Sequence, residues 1–296
     1  MHGIYTALVT PVKNGAVDIP TLSKIVRFVI DNGSTGLVVL GGTGEYTALS
    51  QKERTEAVQT CIESAKGEVP VVVGILAPGL KDAVKMGKRS RELGADAVMV
   101  VTPYYVIPSQ EGIKDYYRRF LDAIDLPLIL YNIPYRTNVN MLPETVDAIV
   151  KEAGKRILGI KECTPNLGQV SRLLQLVGEK IAFICGEEPL MFPELVMGAK
   201  GAILATSNVI PKLWTTMYDR VQSGDIEGAR ELHFQVGLFL KLVFAETNPG
   251  PLKEAMKAAG FNCGSALSPL LPPNEGLKSA LLSELKRLQS WIDMNL

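Results

Sequence analysis

Residues 127–134 read PLILYNIP and residues 157–164 read ILGIKECT. Both are short, nearly continuous apolar runs, the pattern of strands covered on both faces. A helix is expected between them, from Pro143 to Ala153, so the pair reads as a strand–helix–strand unit of a parallel sheet. The same unit repeats outward in both directions. Towards the N-terminus strands are expected at Ala97–Pro103, Pro70–Ile75, Gly36–Gly41 and Gly3–Pro11. They are separated by helices over Ser109–Ile124, Lys81–Gly94, a segment opening at Ser50 with Glu53 placed for a capping box, and Ile19–Gly33. Towards the C-terminus come a helix at Gln169–Val177, a strand at Ile181–Glu187, a short helix near Leu190–Met197, a strand at Gly201–Asn208 and a helix at Pro211–Gln222.

Eight such units, recurring about every 25–30 residues, favour a closed (β/α)8 barrel over an open doubly wound sheet. After residue 224 the alternation stops. Asp225–Ala245, Pro251–Ala259 and Glu275–Met294 read as helices separated by Pro/Gly-rich stretches. The expected organisation is therefore a barrel over residues 1–224 and a helical appendage over residues 225–296.

Composition narrows the function. With 47% hydrophobic and 21% charged residues the chain is globular, not disordered. Lys+Arg equals Asp+Glu at 31 each, so no electrostatic footprint for nucleic acid or an anionic membrane is present. No apolar run spans a bilayer and no secretory signal is visible. Cys61, Cys163, Cys185 and Cys263 are far apart with no C-x-x-C, as for buried free thiols in a reducing compartment. The expectation is a soluble cytoplasmic protein. Only His2 and His233 are present, and His233 reads as a packed or solvated helix residue. A Ser-His-Asp triad or a His-ligated metal is poorly supported, and acid–base chemistry falls to Tyr, Lys, Glu, Asp or the substrate.

Barrel chemistry gathers at the C-terminal strand ends. There the sequence places Gly42-Thr43-Gly44-Glu45, Tyr104 and Tyr105, Tyr131 and Asn132 with Arg136 beyond, Lys161, Gly186-Glu187-Glu188, and Ile203 with Thr206. Lys161 is the sharpest signal. Desolvation favours the neutral, nucleophilic form of an amine, and such an amine condenses with a ketone to give an iminium that acts as an electron sink. Gly159, two residues back, is expected to leave space beneath it. The plainer alternative is a lysine that reaches solvent or pairs with Glu187. Gly42-Thr43-Gly44 lacks the register of a nucleotide loop. It suits a carboxylate held by backbone amides and the Thr43 hydroxyl, or else is simply a tight turn. Tyr131 can relay protons or merely pack. Arg136 suits bidentate recognition of a second carboxylate, or is a surface charge.

Together these segments resemble the dihydrodipicolinate synthase/N-acetylneuraminate lyase family over roughly residues 3–290. The resemblance is carried by GGTGEYTALS at 41–50, TPYYVIPSQEG at 102–112, LPLILYNIPYRT at 126–137, GIKECT at 159–164 and ETNPGPLK at 246–253. It is nearest the 4-hydroxy-tetrahydrodipicolinate synthase branch. It implies a (β/α)8 barrel with C-terminal helices, assembled as a homodimer or homotetramer, with neither metal nor organic cofactor. It implies a lyase that condenses pyruvate with an aldehyde, L-aspartate 4-semialdehyde in the synthase. By the same resemblance Lys161 is the Schiff-base lysine and Tyr131 the proton shuttle. Thr43 and Gly44, with Gly42, form the turn for the pyruvate carboxylate. Tyr105 is lent across a dimer interface into the neighbouring site. Arg136 meets the carboxylate of the aldehyde, and Gly186 and Ile203 line the pyruvate pocket.

Three departures stand out. Gly42 occupies the position of a threonine that links the two tyrosines in the synthase, and the G-G-T-G-E turn is similar to that of dehydratase and sugar-acid members of the superfamily. Val106 stands where the synthase usually has Asn. Pro78 replaces an Asn of the lysine feedback site found in some synthases, so lysine feedback is not expected. The alternative activity is thus a 2-oxo-3-deoxy-sugar-acid aldolase or dehydratase. A more remote one is a non-catalytic 2-oxo acid sensor, which would need no intact Lys161–Tyr131 pair.

Overall fold

The computed structural model describes residues 1–296. Its strands are β1 (Gly3–Ala7), β2 (Gly36–Val39), β3 (Val71–Ile75), β4 (Ala97–Val101), β5 (Leu128–Asn132), β6 (Ile157–Glu162), β7 (Ala182–Cys185) and β8 (Gly201–Leu204). They close into one barrel in sequence order, with β1 paired to both β2 and β8, and every pairing is parallel. The open-sheet alternative is excluded.

Eight helices follow the strands: α1 (Ile19–Asp31), α2 (Gln51–Ala65), α3 (Leu80–Leu93), α4 (Gln110–Ala123), α5 (Pro143–Ala153), α6 (Leu167–Val177), α7 (Met191–Met197) and α8 (Pro211–Ser223). Three more, α9 (Ile226–Val243), α10 (Gly250–Ala258) and α11 (Glu275–Asn295), form the C-terminal region. Polar caps start many of them. Asp18, Ser109, Asn166, Asp225 and Asn274 each accept a backbone N–H of the first turn, and the Ser50–Glu53 capping box forms as expected. No helix is long and apolar enough to cross a membrane.

Strand alternation sorts the core into two layers. Residues such as Val38, Val72, Met99, Ile129, Tyr131, Ile184 and Ile203 fill the barrel, whereas a larger set of 72 buried residues lies between the strands and the helices. His233 is a helix residue as expected, its ring set between Phe192 and Phe234. All four cysteines are free and buried.

The structure corrects several expected boundaries. β1 ends at Ala7, and the chain then forms a small hairpin, Val12–Lys13 with Ala16–Val17. Its Asn14-Gly15 turn has φ of 52° and 77°, the geometry for which Asn-Gly is favoured, so the signal was present in the sequence. β8 stops at Leu204, and Thr206–Asn208 is a 3-10 turn, so Thr206 is not a strand residue. Pro134–Thr137 makes an extra helical turn after β5.

The C-terminal region is locked to the barrel mouth by a buried ion pair. Lys253 Nζ on α10 lies 2.5 Å from Glu45 Oε2, and both side chains are almost wholly buried. Glu45 also accepts the Leu267 N–H, and Lys253 donates to the Ser265 carbonyl. Removing one partner strands the other charge away from water, at a cost of about 3–5 kcal/mol. Lys253→Met should lower stability by that order in urea unfolding, and Lys253→Met with Glu45→Met should recover much of it. A Lys253→Met protein as stable as the parent would show that the pair is solvated in solution.

Candidate active site

Tyr131 and Lys161 are directly opposed in the β5–β6 register, and both point into the barrel. Lys161 is only 8% exposed, and its Nζ sits 4.7 Å from the centroid of the Tyr131 ring. No carboxylate comes within ion-pair distance of Nζ, so the alternative pairing with Glu187 does not form. Burial pushes the Tyr131 phenol well above its ordinary pKa, keeping it a neutral donor. Crowding around the amine comes from the strand on the other side. A Cβ on Gly186 would meet Cys163 Sγ and Lys161 Cε, and one on Gly159 would fall 2.5 Å from the Ala182 carbonyl. Gly159 is therefore required by close approach of β7, not by space beneath Lys161.

The turn after β2 supplies the opposite wall. Leu40 and Glu45 take left-handed backbone angles, φ 64° and 55°, and bend residues 41–44 across the barrel mouth. The N–H groups of Thr43 and Gly44 meet no backbone acceptor, so they are free to hold an anion. The turn is braced from outside: Thr10 donates to the Gly44 carbonyl at 2.8 Å, and Asn248 Nδ2 donates to Thr43 Oγ1 at 2.9 Å. Arg136 reaches across to the Asn248 carbonyl at 3.4 Å.

These groups surround one cavity of about 440 Å³. Of the expected site residues, Gly42, Thr43, Tyr131, Arg136, Lys161, Gly186 and Ile203 line it. Gly44 lies behind the lining, where a Cβ would press on the Leu40 and Leu8 backbone. Tyr105 does not join the site of its own chain. It is 93% exposed, with φ 74°. Its neighbour Tyr104 instead turns inward and donates to the Leu76 carbonyl at 2.8 Å.

Sequence reasoning singled out Glu187 only as a strand-end residue and possible partner of Lys161, and missed Tyr135, Cys163 and the segment Phe244–Asn248 in the lining. Glu187 Oε1 is buried without a hydrogen-bond partner, and burial raises its carboxyl pKa against the opposing influence of Tyr135, Lys161 and Arg136. Cys163 could have been found by alternation, being two residues after Lys161 on the same face. The Phe244–Asn248 segment belongs to the C-terminal region and carries no local signal that it folds back over the mouth.

The model of the dihydrodipicolinate synthetase family matches residues 1–288. A 4-hydroxy-tetrahydrodipicolinate synthase of Geobacter metallireducens is 39% identical over 287 residues, covering 97% of this chain and 98% of that protein. The dihydrodipicolinate synthase structure from Thermotoga maritima superposes with a TM-score of 0.95 at 36% identity, covering 98% of this chain and 99% of the other. A monomeric dihydrodipicolinate synthase variant is equally similar, with a TM-score of 0.95 at 36% identity over 98% of this chain and 97% of its own.

Three carboxyls, Glu188 in the cavity lining and Glu162 and Glu194 outside it, are buried without a cationic partner. Desolvation pushes Glu162 up to about 8, Glu188 up to about 7 and Glu194 up to about 8. Each is then protonated in the folded chain at pH values where the unfolded chain ionises it. Unfolding releases protons between about pH 4.5 and 8, so stability falls as pH rises through that window. His233, whose pKa burial lowers, works in the opposite sense but is a single group. The melting temperature should drop from pH 5 to pH 8, and Glu194→Gln should flatten the slope. A melting temperature that rises across this range would contradict the neutral assignment.

Proposed function

Given that the chain belongs to the dihydrodipicolinate synthetase family, we propose that it is a Schiff-base lyase condensing pyruvate with L-aspartate 4-semialdehyde, as a 4-hydroxy-tetrahydrodipicolinate synthase does. The observation that carries this reading is the unpaired Lys161 amine, in one cavity with Tyr131, Arg136 and the Thr43 turn. Pyruvate places its carboxylate on the free Thr43 and Gly44 amides, which brings its ketone carbon towards Lys161. The amine attacks, water leaves, and an iminium forms. Loss of a proton from the methyl carbon gives an enamine, which attacks the aldehyde carbon of the second substrate. Tyr131 donates and recovers protons at the amine and the nascent hydroxyl. Arg136, exposed at the rim, receives the second carboxylate.

One observation favours the second reading. Gly42 has nothing within 4 Å of where its Cβ would stand, so the turn offers open space where the synthase carries a threonine. That space suits a bulkier, hydroxylated 2-oxo-3-deoxy-sugar acid. A panel of aldehydes and sugar acids separates the two. Lysine feedback is not expected, because Pro78 has no amide to offer in the cavity it shares with Tyr46, Arg54 and Asp82.

We further propose a barrel of residues 1–224 whose mouth is completed by residues 225–296, assembled as a homodimer or homotetramer. Tyr105, Val106 and Ile107 form one exposed apolar tip, and Val196, Met197, Phe234 and Leu238 supply further exposed apolar residues. Apolar exposure of this kind suits burial in an interface. Tyr105 would then be available to a neighbouring site.

Borohydride with pyruvate should inactivate the protein irreversibly and leave one reduced pyruvate adduct on Lys161, and Lys161→Ala should abolish it. An adduct on another lysine, or none, would sink the Schiff-base assignment. With no side chain at Gly42 to bridge the two phenols, Tyr105→Phe should lower kcat by about tenfold or less, roughly 1.4 kcal/mol. Tyr131→Phe should cost much more, and Gly42→Thr should raise synthase activity. A fully active monomer, or equal large losses for both tyrosine variants, would refute the shared site.

A further inference from the structure

Directly behind Tyr131 and Lys161 lies a polar network that the chemistry does not touch. Asn132 and Glu162 are opposed in the same register, one residue further along β5 and β6, and alternation turns both outward into the helix layer. Both are 0% exposed. Asn132 Nδ2 donates to Glu162 Oε1 at 2.9 Å and Oε2 at 3.0 Å, and to Asn140 Oδ1 at 2.9 Å. Asn132 Oδ1 accepts the Met141 N–H at 3.0 Å. Gln169, on α6, closes the network by exchanging two hydrogen bonds with Asn140, at 2.8 and 3.0 Å, and by reaching Glu162 Oε2 at 3.5 Å.

We propose that Asn132 and Glu162 are a positioning pair that fixes the separation of the Lys161 amine and the Tyr131 phenol. This rests on the reading of Lys161 as the Schiff-base lysine. The argument is one of where the ladder ends. β5 stops at Asn132 and β6 at Glu162, and past this point a single backbone bond, from the Cys163 N–H to the Asn132 carbonyl at 2.9 Å, still ties the two strands. The side-chain pair reinforces that last bond where the ladder runs out. It sits one residue from both reacting groups, and α6 and the loop before α5 brace it from behind.

A buried carboxyl here has no cation to satisfy it, only amide donors. Burial pushes Glu162 up to about 8, so near neutral pH it is largely protonated and offers one acceptor and one O–H. Glutamine keeps the reach of that side chain and one acceptor oxygen for Asn132. Aspartate keeps the acid but withdraws it by one methylene, so that it no longer reaches Asn132. Reach, not charge, is the property required.

The test compares Glu162→Gln and Glu162→Asp in the full-length protein. It follows kcat, KM for pyruvate, the rate of borohydride trapping at Lys161 and the melting temperature. Glu162→Asp should lower kcat and the trapping rate by about tenfold, while KM for pyruvate changes less than about threefold because the Thr43 turn is untouched. Glu162→Gln should stay within about threefold of the parent kcat. Should Glu162→Asp not fold, Asn140→Ala, at the half-buried end of the network, should lower kcat about threefold. The proposal is overturned by an unchanged kcat in Glu162→Asp (or in Asn140→Ala), by Gln failing to rescue, or by a loss confined to KM. Absence of a Lys161 adduct in the parent protein would instead overturn the Schiff-base reading itself, a separate result.

Discussion

The pairing of β5 with β6 is the constraint on which the site depends. Side chains alternate along a strand with a period of two, so a given register decides which pair of residues faces the barrel. With Tyr131 opposite Lys161, an amine and a phenol meet inside, while an amide and a carboxyl meet outside. A slip of one residue on β6 would drive the amine into the apolar helix layer and set Glu162 among Ile129, Ile184 and Ile203. Neither polar group would find a partner there, so burial penalises the wrong register.

The barrel alone does not complete the site. Its interior is filled up to the level of Met99, Ile129 and Ile203, and what lies above depends on loops. The turn at 41–44 must cross the mouth with its amides free, which demands the left-handed backbone at Leu40 and Glu45. Glu45 is held in that conformation by Lys253 and the Leu267 N–H, both from the C-terminal region, and Thr43 is held by Asn248 from the same region. A buried ion pair adds little net stability over an apolar substitute, but it leaves very few geometries open. The C-terminal region thus sets the position of the turn that, in the proposed function, holds the substrate carboxylate.

Much of this was legible in the sequence, for reasons that differ by residue. Continuous apolar runs and recurring helices gave the eight units, because a strand covered on both faces has no solvent side on which to place polar residues. Lys161 was legible as an exception to that rule within its own strand. Tyr131, Arg136 and the Gly42–Gly44 turn were weak as single residues and gained meaning only as a set. The Phe244–Asn248 segment was not legible as lining, because what makes it part of the site is the folding of distant chain over the mouth. The reason given for Gly159 was wrong for a related cause: its neighbour, the Ala182 carbonyl, belongs to the next strand, and sequence spacing within β6 says nothing about it. Tyr105 could be singled out but not placed, since its own chain leaves it in solvent.

Tolerance to change is unevenly distributed around the cavity. Around Lys161 the packing is tight: Gly186 and Gly159 admit no added carbon, and Tyr131, Ile203 and Cys163 are buried. At the rim Gly42 faces open space, Tyr135 and Arg136 are exposed, and Asn248 and Glu187 each carry a buried oxygen without a partner. A group that forms the same bond with every 2-oxo acid needs a fixed position, and the strands give it one. Groups that would meet a second substrate sit on loops, and loops can change without disturbing the barrel. On the proposed chemistry, the open space at Gly42 therefore bears on which second substrate is accepted far more than on whether an iminium can form.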